Sequence, residues 1–135
     1  MSKKYIFTDI DGVLNPKFNK VWNKKCVDVY NRICKDFDLQ PVITSTWRIK
    51  YNKKQMQEIF IRQGIMVNIY DYTPVLMNDR GLEIEKWLQD NEHTNYIVVD
   101  DKVTDIESYV TNVIHCKGWI GLIDEHYDEI KKLLR

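Results

Sequence analysis

Two short apolar segments in this chain each end in paired carboxylates: KYIFTDIDGVLNP over residues 4–16 and NYIVVDD over residues 95–101. Ile6, Phe7 and Ile10 in the first, and Ile97, Val98 and Val99 in the second, leave little room for a wet face. Such segments suit strands covered on both sides in a parallel sheet. The acids then fall just past the strand ends, where an open parallel sheet binds its ligands.

The rest of the chain alternates in the way such a sheet requires. Asn23 precedes a helical pattern over Lys24–Phe37, in which Cys26, Val29, Tyr30, Ile33, Cys34 and Phe37 share one face. Pro41–Thr44 reads as a second strand. A helix over Lys53–Gln63 follows, with Met56, Ile59 and Phe60 inward and Gly64 as its stop. Ile65–Tyr70 is a third strand candidate. After Pro74, Asn78 or Asp79 caps a helix over Gly81–Asp90 that buries Ile84, Trp87 and Leu88. Tyr96–Val99 is the most apolar strand; a short helix from Thr104, a strand near Asn112–Cys116 and a final helix capped by Asp124 complete the chain. In that last helix, acids at 125, 128 and 129 precede bases at 131, 132 and 135, the order its macrodipole favours. The alternation predicts an α/β fold: a single Rossmann-like three-layer domain over residues 1–135, with a mostly parallel five-stranded sheet and right-handed crossovers. Both acidic pairs are expected at the topological switch point.

Composition narrows the function classes. At 44% hydrophobic and 30% charged, the 135 residues suit one ordinary globular core, with no repeat or low-complexity tract. No apolar run is long enough to span a bilayer, and Asp9 interrupts the place where a signal peptide would continue apolar, so a cytoplasmic protein without a membrane partner is expected. Cys26, Cys34 and Cys116 show no CxxC spacing and are read as reduced thiols. Net charge is zero, yet residues 1–62 hold 13 Lys/Arg against 6 Asp/Glu and residues 63–135 hold 7 against 14. A basic half would help attract an anionic partner.

The acids themselves indicate a chemistry. Period-two geometry sends Asp9 and Asp11 to one side of an extended segment, and Asp100 and Asp101 join them from the neighbouring strand. Three or four carboxylates within reach call for a hard cation, and Mg²⁺ fits best because it takes oxygen ligands and leaves positions for phosphate. Without the cation, like-charge crowding pushes one or more of these acids to protonate. A calcium loop does not fit: twelve positions counted from Asp9 put Gly12 fourth and Lys20 last, where Glu is required.

At these residues the chain resembles the haloacid dehalogenase (HAD) superfamily. DIDGVL over 9–14 looks like its first motif, VITSTWR over 42–48 its second, and NDRGLEI over 78–84 and YIVVDD over 96–101 its third and fourth. The combination is similar to the capless HAD domains of Swiss Army Knife RNA repair proteins. The resemblance implies Asp9 as the nucleophile that forms an aspartyl phosphate, and Asp11 as general acid and then general base. It implies Mg²⁺ held by the Asp9 carboxylate, the Asp11 backbone carbonyl and one acid of the later pair, Asp101 preferred and Asp100 close behind. Thr44 or Ser45 would donate to a phosphoryl oxygen, with Thr44 slightly favoured. Arg80 stands where the family more often has Lys and would bridge phosphate and the Asp9 carboxylate. Asp105, four residues after Asp101, either completes the fourth motif or caps the following helix.

HAD enzymes choose substrates largely through inserted caps, and residues 12–43 and 49–79 leave no room for one. Around the resulting open site, Lys17, Phe18, Lys20, Trp22, Lys24 and Lys25 interleave bases with aromatics, and Arg48, Lys50, Tyr51, Lys53 and Lys54 repeat the mixture after Trp47. That pattern suits a phosphate backbone and stacked bases, so Arg48, Trp47 and Lys17 become candidate substrate contacts. The expected activity is Mg²⁺-dependent phosphomonoester hydrolysis on an RNA or DNA end or a nucleotide. The alternatives are a small-metabolite phosphatase and a non-catalytic phosphate-binding module of the same fold. A receiver domain is disfavoured, because receivers place their acid pair after the first strand and the phosphorylated Asp after the third. Among the remaining candidates, His93 is expected in a loop, His126 exposed, His115 and Cys116 in packing roles, and Trp87 and Trp119 in the core.

Overall fold

A computed structural model describes residues 3–134 of the chain. Five strands, β1 (Lys4–Thr8), β2 (Gln40–Ile43), β3 (Asp71–Tyr72), β4 (Asn95–Asp100) and β5 (Val113–His115), form one sheet in the order β3-β2-β1-β4-β5. Every pairing is parallel. The helices are α1 (Lys24–Asp36), α2 (Trp47–Lys50), α3 (Lys53–Arg62), α4 (Arg80–Asp90), α5 (Thr104–Glu107) and α6 (Asp124–Leu133). The expected α/β fold is therefore present, with all of its strands parallel rather than most of them.

Alternation along the strands builds two cores. Ile6, Ile43, Ile97, Val99 and Ile114 pack with Val29, Tyr30 and Ile33 of α1, Met56 and Phe60 of α3, and Ile130 of α6. The neighbouring residues Tyr5, Phe7, Val42 and Val98 face the other way, onto Ile84 and Trp87 of α4 and Ile106 of α5. Helices thus cover both faces of the sheet, which gives the three layers. Trp87 meets the rings of Tyr5 and Phe7 edge-on, with centroids 4.8 and 5.4 Å away.

Chain order fixes where a ligand can enter. From β1 the chain steps outward to β2 and β3, then returns to pair β4 against the opposite edge of β1. The crossovers leaving β1 and β4 diverge at their carboxyl ends, and a crevice opens between them. Asp9 follows β1 and Asp100 ends β4, so the acids meet there.

Several sequence expectations are corrected. Ile65–Tyr70 is not a strand; pairing with β2 is confined to Asp71–Tyr72, opposite Val42 and Ile43. Most of the expected strand is bonded elsewhere: Met66 N–H donates to Asn31 Oδ1 and Ile69 N–H to Gln57 Oε1, and only Tyr70, whose N–H donates to the Pro41 carbonyl, reaches β2. Asp124 is the first residue of α6 and not its cap; the cap position is Ile123, whose N–H donates to Nδ1 of His126 at 2.9 Å. That bond turns His126 inward, so it is buried rather than exposed. Trp119 is 67% exposed and lies outside the core, in the turn closed by the Lys117–Gly121 bridge. The three cysteines are unpaired and buried.

Candidate active site

The segment after β1 turns sharply because one carbonyl serves three donors. The Ile10 carbonyl accepts from the N–H groups of Val13, Leu14 and Asn15, and the Ile10 side chain is fully buried beneath the turn. Gly12 adopts φ +83°, a left-handed conformation that few side chains tolerate. A Cβ at that position would lie 2.4 Å from Oδ2 of Asp101, so glycine also makes room for that carboxylate.

Asp9, Asp100 and Asp101 each bring a carboxylate oxygen within 4.8 Å of the others. Burial in this group is uneven. Asp100 is fully buried, Asp9 nearly so, and Asp101 half-buried and open to the cleft. Burial holds the Asp9 carboxyl well above the usual carboxylate range, and the charge of Asp100 raises it further. The Asp100 carboxyl is also raised, again chiefly by burial.

The positive charge among these acids belongs to Arg80, the first residue of α4. Its Nη1 lies 2.8 Å from Oδ2 of Asp100 and 3.3 Å from Oδ2 of Asp9. Burial opposes the guanidinium charge, but Asp9 and Asp100 together outweigh it and hold Arg80 above its ordinary value. Asp100 is engaged at both oxygens, since Oδ1 accepts from the Lys102 N–H at 3.0 Å. Asp101, by contrast, faces the cleft.

Asp11 stands apart from the trio. Its Oδ2 accepts from Nε1 of Trp47 at 3.0 Å. The indole is itself wedged between Trp22 and Tyr51, at centroid distances of 5.6 and 5.9 Å. The carboxylate of Asp11 is thus held by a ring that packs against two others.

A cleft of about 400 Å³ joins these groups. Asp9, Asp11, Arg80 and Asp101 line it together with Phe18, Ser45, Thr46, Asn78, Lys102, Asp105 and Ile106. Ser45 reaches this cleft; Thr44, the slightly favoured candidate, does not. Thr44 is fully buried and its hydroxyl has no hydrogen-bond partner among the described residues. Asp105 lies within the first turn of α5, whose cap position is Val103, and so it is a cleft residue and not a cap.

Two candidate substrate contacts sit elsewhere. Arg48 is buried, with Nη2 3.0 Å from Oε1 of Glu83 and donors directed to the carbonyls of Thr44, Ser45, Thr73 and Pro74. Its charge holds the end of β2 against α4 and is not offered to solvent, which corrects its assignment as a substrate contact. Lys17 is exposed beside the cleft, where its neighbour Phe18 forms the lining. Trp47 is half-buried and meets the cleft through Asp11. Asn78, Thr46 and Lys102 escaped sequence reasoning as site residues. Their position beside Arg80, Ser45 and Asp101 was the available signal.

The acid group suits a hard divalent cation. All its donors are carboxylate oxygens, the choice of Mg²⁺ rather than of thiolate- or imidazole-preferring metals. Asp101 is accommodated on two sides by glycine, since a Cβ on Gly118 would also come within 2.9 Å of its Oδ2. No described helix is long and apolar enough to cross a membrane.

Residues 5–127 match the family model of the HAD domain in Swiss Army Knife RNA repair proteins. The match spans most of the 135 residues, and the chain belongs to this family. No curated protein matches it.

Proposed function

We propose that this member of the HAD family is a Mg²⁺-dependent phosphomonoesterase that works through an aspartyl phosphate on Asp9, with a nucleic-acid end or a nucleotide as substrate. The observation that carries the proposal is the grouping of Asp9 and Asp101 with the buried Asp100, at a cleft that Asp9 and Asp101 line together with a separately fixed Asp11.

Asp9 and Asp101 would hold the cation, with Asp100 behind them. Bound there, Mg²⁺ supplies charge neutralisation, so that an anionic carboxylate and an anionic phosphate approach each other. An oxygen of Asp9 attacks phosphorus while the bond from phosphorus to the leaving oxygen breaks, and Asp11 gives that oxygen its proton. In the second half, Asp11 takes a proton from water. The water oxygen bonds to phosphorus, the bond to Asp9 breaks, and inorganic phosphate leaves. Trp47 keeps the Asp11 carboxylate in place through both transfers. Ser45 donates to a phosphoryl oxygen, and Arg80, already against Asp9, adds bidentate reach to the phosphate.

The test is hydrolysis of an aryl phosphate with Mg²⁺ present. Turnover is expected, with loss on chelation and in Asp9→Asn. Undiminished turnover in Asp9→Asn would reject the nucleophile, and absence of turnover on every phosphoester would leave the non-catalytic module as the better reading. Comparing oligonucleotides bearing 3′- or 5′-phosphate with a panel of metabolite phosphates separates the substrate classes.

A further inference from the structure

We infer that Phe18 is a stacking platform at the mouth of the cleft, and that the group carrying the phosphate bears a planar base. The inference rests on the hydrolase reading for the phosphate and adds what lies next to it.

Phe18 combines three properties that packing does not explain. The residue is 72% exposed, although it lines the cleft with Asp9 and Asp11. Its φ is +54°, the left-handed region, where a bulky side chain is uncommon and glycine or asparagine is the ordinary occupant. An aromatic ring kept in water on a strained backbone is a poor choice for stability alone, and such strain collects at sites of function.

The turn that presents the ring is firmly built. Asn15 is buried, and its side chain clasps the residue after Phe18: Nδ2 donates to the Asn19 carbonyl at 3.0 Å and Oδ1 accepts the Asn19 N–H at 3.1 Å. The Asn15 backbone is tied in turn to the catalytic loop, through its N–H to the Ile10 carbonyl and its carbonyl to the Gly12 N–H. Phe18 is therefore one clasp away from Asp9 and Asp11. The backbone that carries the ring is thereby fixed beside the acids, which lowers the ordering cost of binding.

Apart from the buried Ile106, the remaining lining is polar. Asn78, Lys102 and Arg80 offer donors to a phosphate or sugar, whereas Phe18 supplies an exposed apolar face. A phosphate held at Asp9 leaves its parent group to cover that face. Stacking on an aromatic side chain tolerates any base, because every base has a π-face.

Kinetics on nucleoside monophosphates and on glycerol phosphate test the idea, with selectivity taken as the ratio of the two kcat/KM values. Phe18→Ala should lower that ratio about tenfold, mainly through KM for the nucleotide. Phe18→Leu, apolar but not planar, should lose as much, and Phe18→Trp should restore the preference. An unchanged ratio in Phe18→Ala, or full rescue by Leu, would overturn the platform. Calorimetry on Asp9→Asn with Mg²⁺ reads the same question without turnover. Adding Phe18→Ala should weaken binding of a nucleoside monophosphate more than binding of inorganic phosphate, and equal weakening would count against the platform while leaving the hydrolase reading intact.

Discussion

The indole Nε1 of Trp47 donates to Oδ2 of Asp11 at 3.0 Å, and this bond joins α2 to the loop that follows β1. In the proposed mechanism Asp11 would hand a proton out and take one back, and the bond ties it to a ring packed against Trp22 and Tyr51. Trp47→Phe keeps much of the ring packing and removes the N–H. Turnover of an alkyl phosphate, whose poor leaving group needs the proton, should fall on the order of tenfold or more, within the range general acids contribute. Turnover of 4-nitrophenyl phosphate should fall much less. Equal losses on the two substrates would show that the tryptophan acts only by holding the fold.

The Gly12 position is sterically committed to Asp101. In Gly12→Ala, the new Cβ would lie 2.4 Å from Oδ2 and 3.0 Å from Cβ of Asp101, on a backbone at φ +83°. The carboxylate must shift, and Mg²⁺ affinity by calorimetry should weaken about tenfold or more. Unaltered affinity would remove Asp101 from the ligand set.

Arg48 and Glu83 form an ion pair in which both side chains are 3% exposed. Burial lowers the affinity of Arg48 for its proton, and the facing Glu83 charge offsets part of that cost. Glu83 also accepts the Leu76 N–H at 2.8 Å, so the pair fastens the approach to α4, where Arg80 sits, to the end of β2, where Ser45 sits. Glu83→Gln leaves a buried guanidinium uncompensated and should cost about 3–5 kcal/mol in urea unfolding. A loss under about 0.5 kcal/mol, the scale of an ordinary surface change, would contradict this.

Much of the frame was legible in the sequence, because strand and helix periods differ and the acids mark strand ends. Period two in β1 puts Tyr5 and Phe7 on one face, where they join Trp87, and Ile6 on the other, where it joins Tyr30. Ile65–Tyr70 shows where that logic fails. Buried Ile65 and exposed Met66 begin a strand-like alternation, but side chains of Asn31 and Gln57, distant in sequence, take the backbone donors that a ladder would have used. His126 failed similarly: it sits among acids, and nothing local announces that its ring caps Ile123.

The site divides along the same line. That Asp9, Arg80, Asp100 and Asp101 come together, with Asp11 on the same cleft, was readable because motif spacing and strand ends fix their places. Arg48 looked like surface charge because five bases crowd residues 48–62, and its partner Glu83 lies 35 positions away. Thr44 and Ser45 are adjacent, and only the course of the chain after Ile43 decides that Ser45 meets the cleft.

The central claim is that Asp9 takes the phosphoryl group, with Mg²⁺ among Asp9, Asp100 and Asp101. Acid quenching during turnover, followed by mass spectrometry of peptides, tests it directly. A phosphoryl adduct on the Asp9 peptide is expected, present with Mg²⁺ and lost when the ion is chelated. Steady turnover with no adduct on Asp9, or an adduct on another residue, would contradict the account.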